Sequence, residues 1–484
     1  MYQYRAIQNL KTLDKKELIE LNKWLKPGWS NSNKRVYELF QFLRNLHPKF
    51  PEDKIKKDYL RKSICPNKPY SEKEILNLLS KLSTSIEDFL VHRHLRANPD
   101  LKLDLLLKIK KERQTATDKE EQLIINKIET LESKTVKSSK DLQDLIQAYQ
   151  FRTELVNPKS GDINKQTDFL QIDHYLNHYY ALLKARNAME LLERSSLLSE
   201  HNDQAPWYEQ IPQEVREQSA IQFYAKYHRT AGKPSLRRFD RLRKTFEEIL
   251  PNLPQKDRRI IYLLLVNEGA RLKRAGEIKV LDKIFLLNEL AVKQAIVIEN
   301  DTITPHSFAN ILTIACQQEK FAFARTFLNN YGNFLPQVMK QDGMDWGELL
   351  INYRQDSPGT VEKAQKLSKH TKSYTVFSLR IRVLITQILF DAYQRDEVGT
   401  DERFDFHIDA FEKKLKREKT YPKKQLDGLS KFHYYAKYLA AHFRGKTLTP
   451  NATIKLEEDI NTEKSLHAKA WLLSKIQEIK KGNH

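Results

Sequence analysis

Residues 306–336, HSFANILTIACQQEKFAFARTFLNNYGNFLP, constrain the fold of this chain more than any other stretch. Phe308, Ile311, Leu312 and Ala315 recur at helical spacing. So do Phe323, Ala324, Phe327, Leu328 and Tyr331, after the polar turn at Gln318, Glu319 and Lys320. Pro336 closes the pattern, because it has no N–H to offer a continuing helix. Each helix carries an apolar stripe that must leave water, so the two pack on each other and on further helices.

The remaining sequence points the same way. Its 484 residues include only 13 Gly and 17 Pro, and runs of alternating β-branched residues are few, which favours an all-α fold. A hydrophobic content of 40% is too rich for disorder. Cys65 and Cys316 lie far apart and form no CxxC pair, so a disulfide framework is excluded and a reducing, cytoplasmic setting is expected. The opening MYQYRAIQNLKTLDKKEL carries no apolar signal-peptide core. IIYLLLV at 260–266, the most apolar run, suits a buried helix and is too short to span a membrane.

Three regions are expected. Residues 1–113 read as an N-terminal helical module. One amphipathic helix covers 1–25 with Leu18, Leu21, Trp24 and Leu25, a turn follows at 27–31, and a second helix covers 33–46. A capping box, Ser71 to Glu74, opens a third helix through Leu76, Leu79, Leu82, Ile86, Phe89 and Leu90. Residues 114–160 read as a connecting region. In it one long charged helix, 117–155, is opened by a Thr117 to Glu120 capping box, weakened at 133–141 and ended by a breaker at 157–162. Residues 161–484 read as paired helices with short turns, including 212–229, 235–249, 256–275, 278–298, a short helix from Trp346, and 360–370.

The hairpin at 306–336 resembles a tetratricopeptide (TPR) repeat, a helical pair of about 34 residues with small residues where its helices touch and a closing Pro. Aligned on Pro336, Phe308 takes the large early position, Ile311 the aliphatic one, Ala324 the small helix B position and Leu328 the following large one. Leu312 stands where the family prefers Gly, and Tyr331 where it prefers Ala. The resemblance implies a TPR-like α-solenoid of helical hairpins across 161–484, with helix A lining a concave binding face. On that face it places His306, Ala309, Asn310, Thr313 and Gln317. The order of elements also resembles all-helical proteins of bacteria, a likeness that supplies no activity.

Motifs that carry chemistry are weak. His174 and His178 stand one helical turn apart, but a zinc site needs three or four ligands and no Cys or HExxH Glu accompanies them. Nucleotide-binding glycine loops and the nucleophile elbow are absent from the sequence. Net charge is +20, from 83 basic and 63 acidic residues, but it is unevenly placed. Residues 1–50 hold ten basic and four acidic side chains, whereas 301–350 hold three and five. Arg237, Arg238, Arg241 and Lys244 form a basic cluster able to meet phosphate, interleaved by Asp240; Lys413, Lys414, Lys416 and Arg417 form a second.

The expected function is a non-enzymatic scaffold or adaptor that binds a protein or peptide, without cofactor, metal or membrane. Two alternatives stay open: a basic protein associated with nucleic acid, and an enzyme whose site only the fold assembles.

Overall fold

A computed structural model describes residues 4–26, 33–64, 72–115, 117–155, 164–198, 207–231, 235–370, 376–395, 397, 399–418, 423–443, 449–463 and 466–482. The expected turn at 27–31, Cys65, Ser71 and the breaker at 157–162 lie outside them. Among the described residues the fold is all-α, with twenty-two α-helices and one two-stranded hairpin, and no helix is long and apolar enough to cross a membrane. The chain divides into two compact units: residues 1–130 with 146–172, and residues 131–145 with 173–484.

The first stretch holds α1 (Arg5–Thr12), α2 (Lys15–Leu25), α3 (Lys34–Leu46), α4 (Lys57–Ile64), α5 (Glu72–Ala97) and α6 (Pro99–Glu112). α5 is the spine, packing on α1, α2, α3 and α4. Its buried stripe is Ile75, Leu78, Leu79, Leu82, Ile86 and Phe89, which meets Ile7, Leu10, Leu21, Phe40 and Leu43. Leu76, expected in that stripe, is one position off it and faces solvent. The single helix expected over 1–25 is two helices. Asp14 stops the first by accepting the Glu17 N–H at 2.7 Å, while the Glu17 carboxylate accepts the Asp14 N–H at 2.9 Å.

Next come α7 (Asp118–Glu132), α8 (Ser139–Leu155) and α9 (Asn164–Leu198). The long helix expected over 117–155 is broken at its weak stretch. Ser138 and Asp141 form a second capping box, with the Asp141 carboxylate accepting the Ser138 N–H at 2.7 Å and Ser138 Oγ accepting the Asp141 N–H at 3.1 Å. Lys137 Nζ donates to the carbonyls of Glu132 and Lys134, both at 2.9 Å, and so satisfies the C-terminal end of α7.

The second unit continues with α10 (Ser219–Arg229), α11 (Leu236–Ile249), α12 (Gln255–Arg274) and α13 (Val280–Lys293). α10 is shorter than the helix expected over 212–229. The helix expected over 278–298 stops early, at Lys293, and a small hairpin of β1 (Ile298–Glu299) and β2 (Thr302–Ile303) follows. Asn300 and Asp301 both take positive φ, 48° and 56°, as a two-residue hairpin turn requires and as Asn and Asp tolerate. Beyond it lie α14 (Pro305–Gln317), α15 (Phe321–Tyr331), α16 (Gln337–Arg354), α17 (Thr360–His370), α18 (Val376–Gln394), α19 (Thr400–Arg417), α20 (Lys423–Phe443), α21 (Pro450–Thr462) and α22 (Lys469–Gly482).

The hairpin at 306–336 forms as read. Thr304 caps α14 by accepting the Ser307 N–H at 3.1 Å, and Pro305 fills the first turn. Glu319, at φ 56°, makes the turn, and Lys320 N–H closes α14 on the Ala315 carbonyl at 2.9 Å. Phe308, Leu312, Ala324, Phe327 and Leu328 are all buried. Pro336 also sets the start of α16, which begins well before Trp346. A further helix comes close to this hairpin at a glycine. A Cβ on Gly347 of α16 would lie 2.6 Å from Leu328 Cδ1 and 3.0 Å from Leu312 Cδ1, so α16 rests against the hairpin through its bare backbone.

Candidate functional site

The expected binding face on α14 is only partly available. His306 and Asn310 are exposed, whereas Thr313 is half-buried with its hydroxyl donated to the Ala309 carbonyl at 2.7 Å. Gln317 accepts from Lys273 Nζ at 2.9 Å. Ala309 is fully buried and can touch no ligand; α14 rotates it into the core beside Phe308.

The basic cluster on α11 also separates. Arg237, Arg241 and Lys244 are exposed on one side of the helix, with Lys244 3.7 Å from Asp240. Arg238 points the other way and is consumed by a network. It pairs with the buried Glu268, donates to the Tyr227 carbonyl at 3.2 Å and lies over the Tyr227 ring at 5.2 Å. Arg271 bridges Glu268 and Glu193, each at 3.0 Å, and Tyr227 Oη donates to Glu193 at 2.9 Å. Arg238 is therefore engaged in this network and does not share the exposed face of Arg237, Arg241 and Lys244.

His174 and His178 lie with ring centroids 4.4 Å apart and planes tilted by 45°, beside a polar cavity of about 360 Å³ lined also by Lys137, Gln218, Ser219 and Asn252. Gln218 Nε2 lies 2.5 Å from His178 Nδ1. Burial, and then the neighbouring His174, push the His178 imidazole below its ordinary pKa. Among the described residues no group of three or more His, Cys, Asp or Glu is placed to hold a metal ion.

The surface best shaped for a macromolecular ligand lies on α13 and the start of α15, and it was not read from the sequence. Asp282, Phe285, Leu286 and Glu289 of α13 face Gln318, Glu319, Lys320 and Phe323 across an open groove of about 660 Å³. Its floor is aromatic, with the Phe285 and Phe323 rings edge to face at 5.2 Å. From there a ladder runs inward: Phe323 stacks on Phe327 at 6.2 Å, Phe327 meets Phe308 at 5.4 Å, and Phe308 meets Phe377 of α18 at 6.0 Å. The floor is thus continuous with the aromatic core of the unit. Leu286 stands 41% exposed at the edge. Asp282, Glu289 and Glu319 make no ion pair among the described residues, so the rim carries three uncompensated carboxylates against one cation, Lys320. The 3.5-residue spacing of Asp282, Leu286 and Glu289 on α13 puts them on one helix face, but only the fold brings Phe323 and Glu319 opposite.

Comparisons with protein families, with curated proteins and with solved structures return no match for this chain.

Proposed function

We propose that the protein is a non-enzymatic scaffold that binds a partner protein, and that the groove on α13 and α15 receives a partner segment in which a Lys or Arg neighbours a large apolar side chain. The observation that carries this reading is the pairing of a preformed aromatic floor with an acidic rim, on a chain whose net charge is +20. Apolar anchors in a rigid pocket supply affinity, and unpaired rim carboxylates select cations and repel acidic competitors. A solenoid of TPR-like hairpins is the architecture that fits this role. It is supported by the way each helix from α14 to α20 packs on the next, while α14 packs on α16, α16 on α18 and α18 on α20. In that frame the groove belongs to the helix B side, and the α14 face carrying His306 and Asn310 becomes secondary.

The test is selection from a random peptide library on the wild-type protein, counter-selected on Leu286→Asp. Recovered sequences should pair Lys or Arg with Leu, Phe or Trp, and should lose at least about tenfold in affinity to Phe323→Ala, a loss of about 1.4 kcal/mol. Recovery of no sequence that distinguishes wild type from Leu286→Asp would sink the groove reading. Tight RNA or DNA binding at physiological salt that depends on Arg237 and Arg241 would favour the nucleic-acid alternative instead.

A further inference from the structure

The cavity beside His174 and His178 lies wholly within the second unit, and its polar groups are short of acceptors. Four stretches of chain line it: the approach to α8, the middle of α9, the start of α10 and the turn before α12. Gln218 Nε2 is an amide nitrogen, which only donates, so His178 Nδ1 accepts and the ring's own proton sits on Nε2. That Nε2–H has no acceptor among the described residues, and the exposed His174 ring makes no hydrogen bond among them either. Gln218 also stands at the N-cap of α10, and with its amide turned to His178 it makes no capping bond. The first N–H groups of α10 are thereby left without a side-chain acceptor. The Ser219 hydroxyl and the Asn252 amide line the same cavity and bond to no protein group among the described residues.

The charges around the cavity agree in sign. Lys137 lines it and donates to the carbonyls of Glu132 and Lys134, which are neutral, so its charge meets no carboxylate among the described residues. The carboxylate that acts on His178 is Glu214, which stands outside the lining and accepts from Asn177 Nδ2 at 2.8 Å. Tyr175, the remaining titratable group of the lining, donates its hydroxyl to Glu132 at 3.1 Å. Burial first, then His174 and Lys137, hold the His178 imidazole low against the pull of Glu214. The histidine pair lacks the third ligand that a metal ion needs. Donors without acceptors, beside a cation without a carboxylate, suit an anion. The opposite wall is apolar, with Leu142, Tyr175, Leu182 and Ala220 all buried. A volume of about 360 Å³ falls within the roughly 300–1,000 Å³ of small-molecule sites.

We propose that this cavity binds the phosphate monoester of a small organic molecule, with His174, His178, Ser219 and the first N–H groups of α10 on the phosphate and the organic part against Leu142 and Leu182. A phosphate monoester brings three strong acceptor oxygens to donors that arrive from separate helices, where a carboxylate brings two. The start of α10 favours the same group, because N–H groups and the helix dipole both point positive charge at it. The negative charge also reverses the balance at His178, so the ring takes up a proton as the ester binds. The site does not rest on the scaffold reading, and it shares no residue with the groove on α13 and α15.

The experiment is a calorimetric titration with phenyl phosphate at neutral pH, with inorganic phosphate and benzoate run beside it in sodium chloride of matched ionic strength. Phenyl phosphate should bind saturably and at least about fivefold tighter than either companion, since one lacks the apolar part and the other the third oxygen. Titrated in two buffers of different ionisation heat, the wild type should take up protons on binding, and His178→Gln should not. His174→Gln, at an exposed position, should melt as wild type does and bind about tenfold more weakly, for the loss of one charge-assisted bond. Ser219→Pro tests the backbone. Pro is accepted at the first helical position, and Gln218 before it already has ψ 133°, so the helix start survives without that N–H. Ser219→Pro should weaken binding more than Ser219→Ala does. Phenyl phosphate that failed to saturate at millimolar concentration would overturn the site. So would binding that took up no proton, or that was unchanged in both His174→Gln and Ser219→Pro. Benzoate bound as tightly would overturn the phosphate, and inorganic phosphate bound as tightly would overturn the organic ester.

Discussion

At the scale of the residue, what matters most is where buried charges find partners. Asp257 is fully buried and serves Arg186 with both oxygens, while Tyr224 Oη donates to it at 2.7 Å. Asp257→Ala would strand the Arg186 guanidinium, and we expect a loss of about 3–5 kcal/mol in urea denaturation. His407 gives a second prediction. Burial, with Arg382 of α18 and His433 of α20 nearby, brings its imidazole down to about 3. Unfolded histidine titrates near about 6.5, so below that pH the unfolded chain binds a proton that the folded chain refuses. Stability is then full above about pH 6.5 and falls as pH drops towards about 3. His433, also lowered by burial, adds with the same sign. The expected cost is roughly 2 kcal/mol between pH 7 and pH 5, from a slope of about 1.4 kcal/mol per unit. His407→Gln should flatten the pH dependence of the urea midpoint across that interval; an unchanged slope would place the acid sensitivity elsewhere.

At the scale of the element, helix–helix contact depends on small residues in specific places. Ala324 is buried where α15 lies against α14, and Ala324→Leu should lose about 1–3 kcal/mol through overpacking, whereas Gln318→Ala in the half-buried turn should lose little. Equal melting of the two variants would remove the case for close packing in this hairpin. The same hairpin shows why part of the fold was legible. Phe308, Leu312, Phe327 and Leu328 repeat at helical spacing and are all buried, so periodicity alone located the elements. Where local hydrogen bonding competes with periodicity, the reading failed. Asp14 and Glu17 split one expected helix, and Ser138 and Asp141 split another, although both pairs have capping-box spacing. The strands at Ile298–Glu299 and Thr302–Ile303 are too short to show any period; only Asn300 and Asp301 marked the turn. The burial of Ala309 and the engagement of Arg238 were invisible for a different reason: both depend on which neighbour a helix face meets, and for Arg238 that neighbour, Glu268, is 30 positions away.

At the scale of the whole molecule, net charge and local charge act in opposite directions. A chain at +20 attracts polyanions nonspecifically, whereas the groove on α13 and α15 has a surplus of carboxylates and should exclude them. Salt separates the two modes. Exposed charges are screened beyond about 10 Å at about 0.1 M, so raising salt should weaken a groove-bound basic peptide only modestly, because its apolar anchor on Phe285 and Phe323 is untouched. Nucleic acid held by several Lys or Arg contacts should instead lose about 10³-fold or more between about 50 and 200 mM, since each contact releases condensed counterions. We expect peptide affinity measured by fluorescence anisotropy to fall less than about tenfold over that range. Glu289→Lys with Glu319→Lys should weaken the peptide at low salt and lose most of that effect at high salt. A peptide whose affinity collapsed with salt as steeply as that of nucleic acid would show that net charge, and not the groove, had been doing the binding.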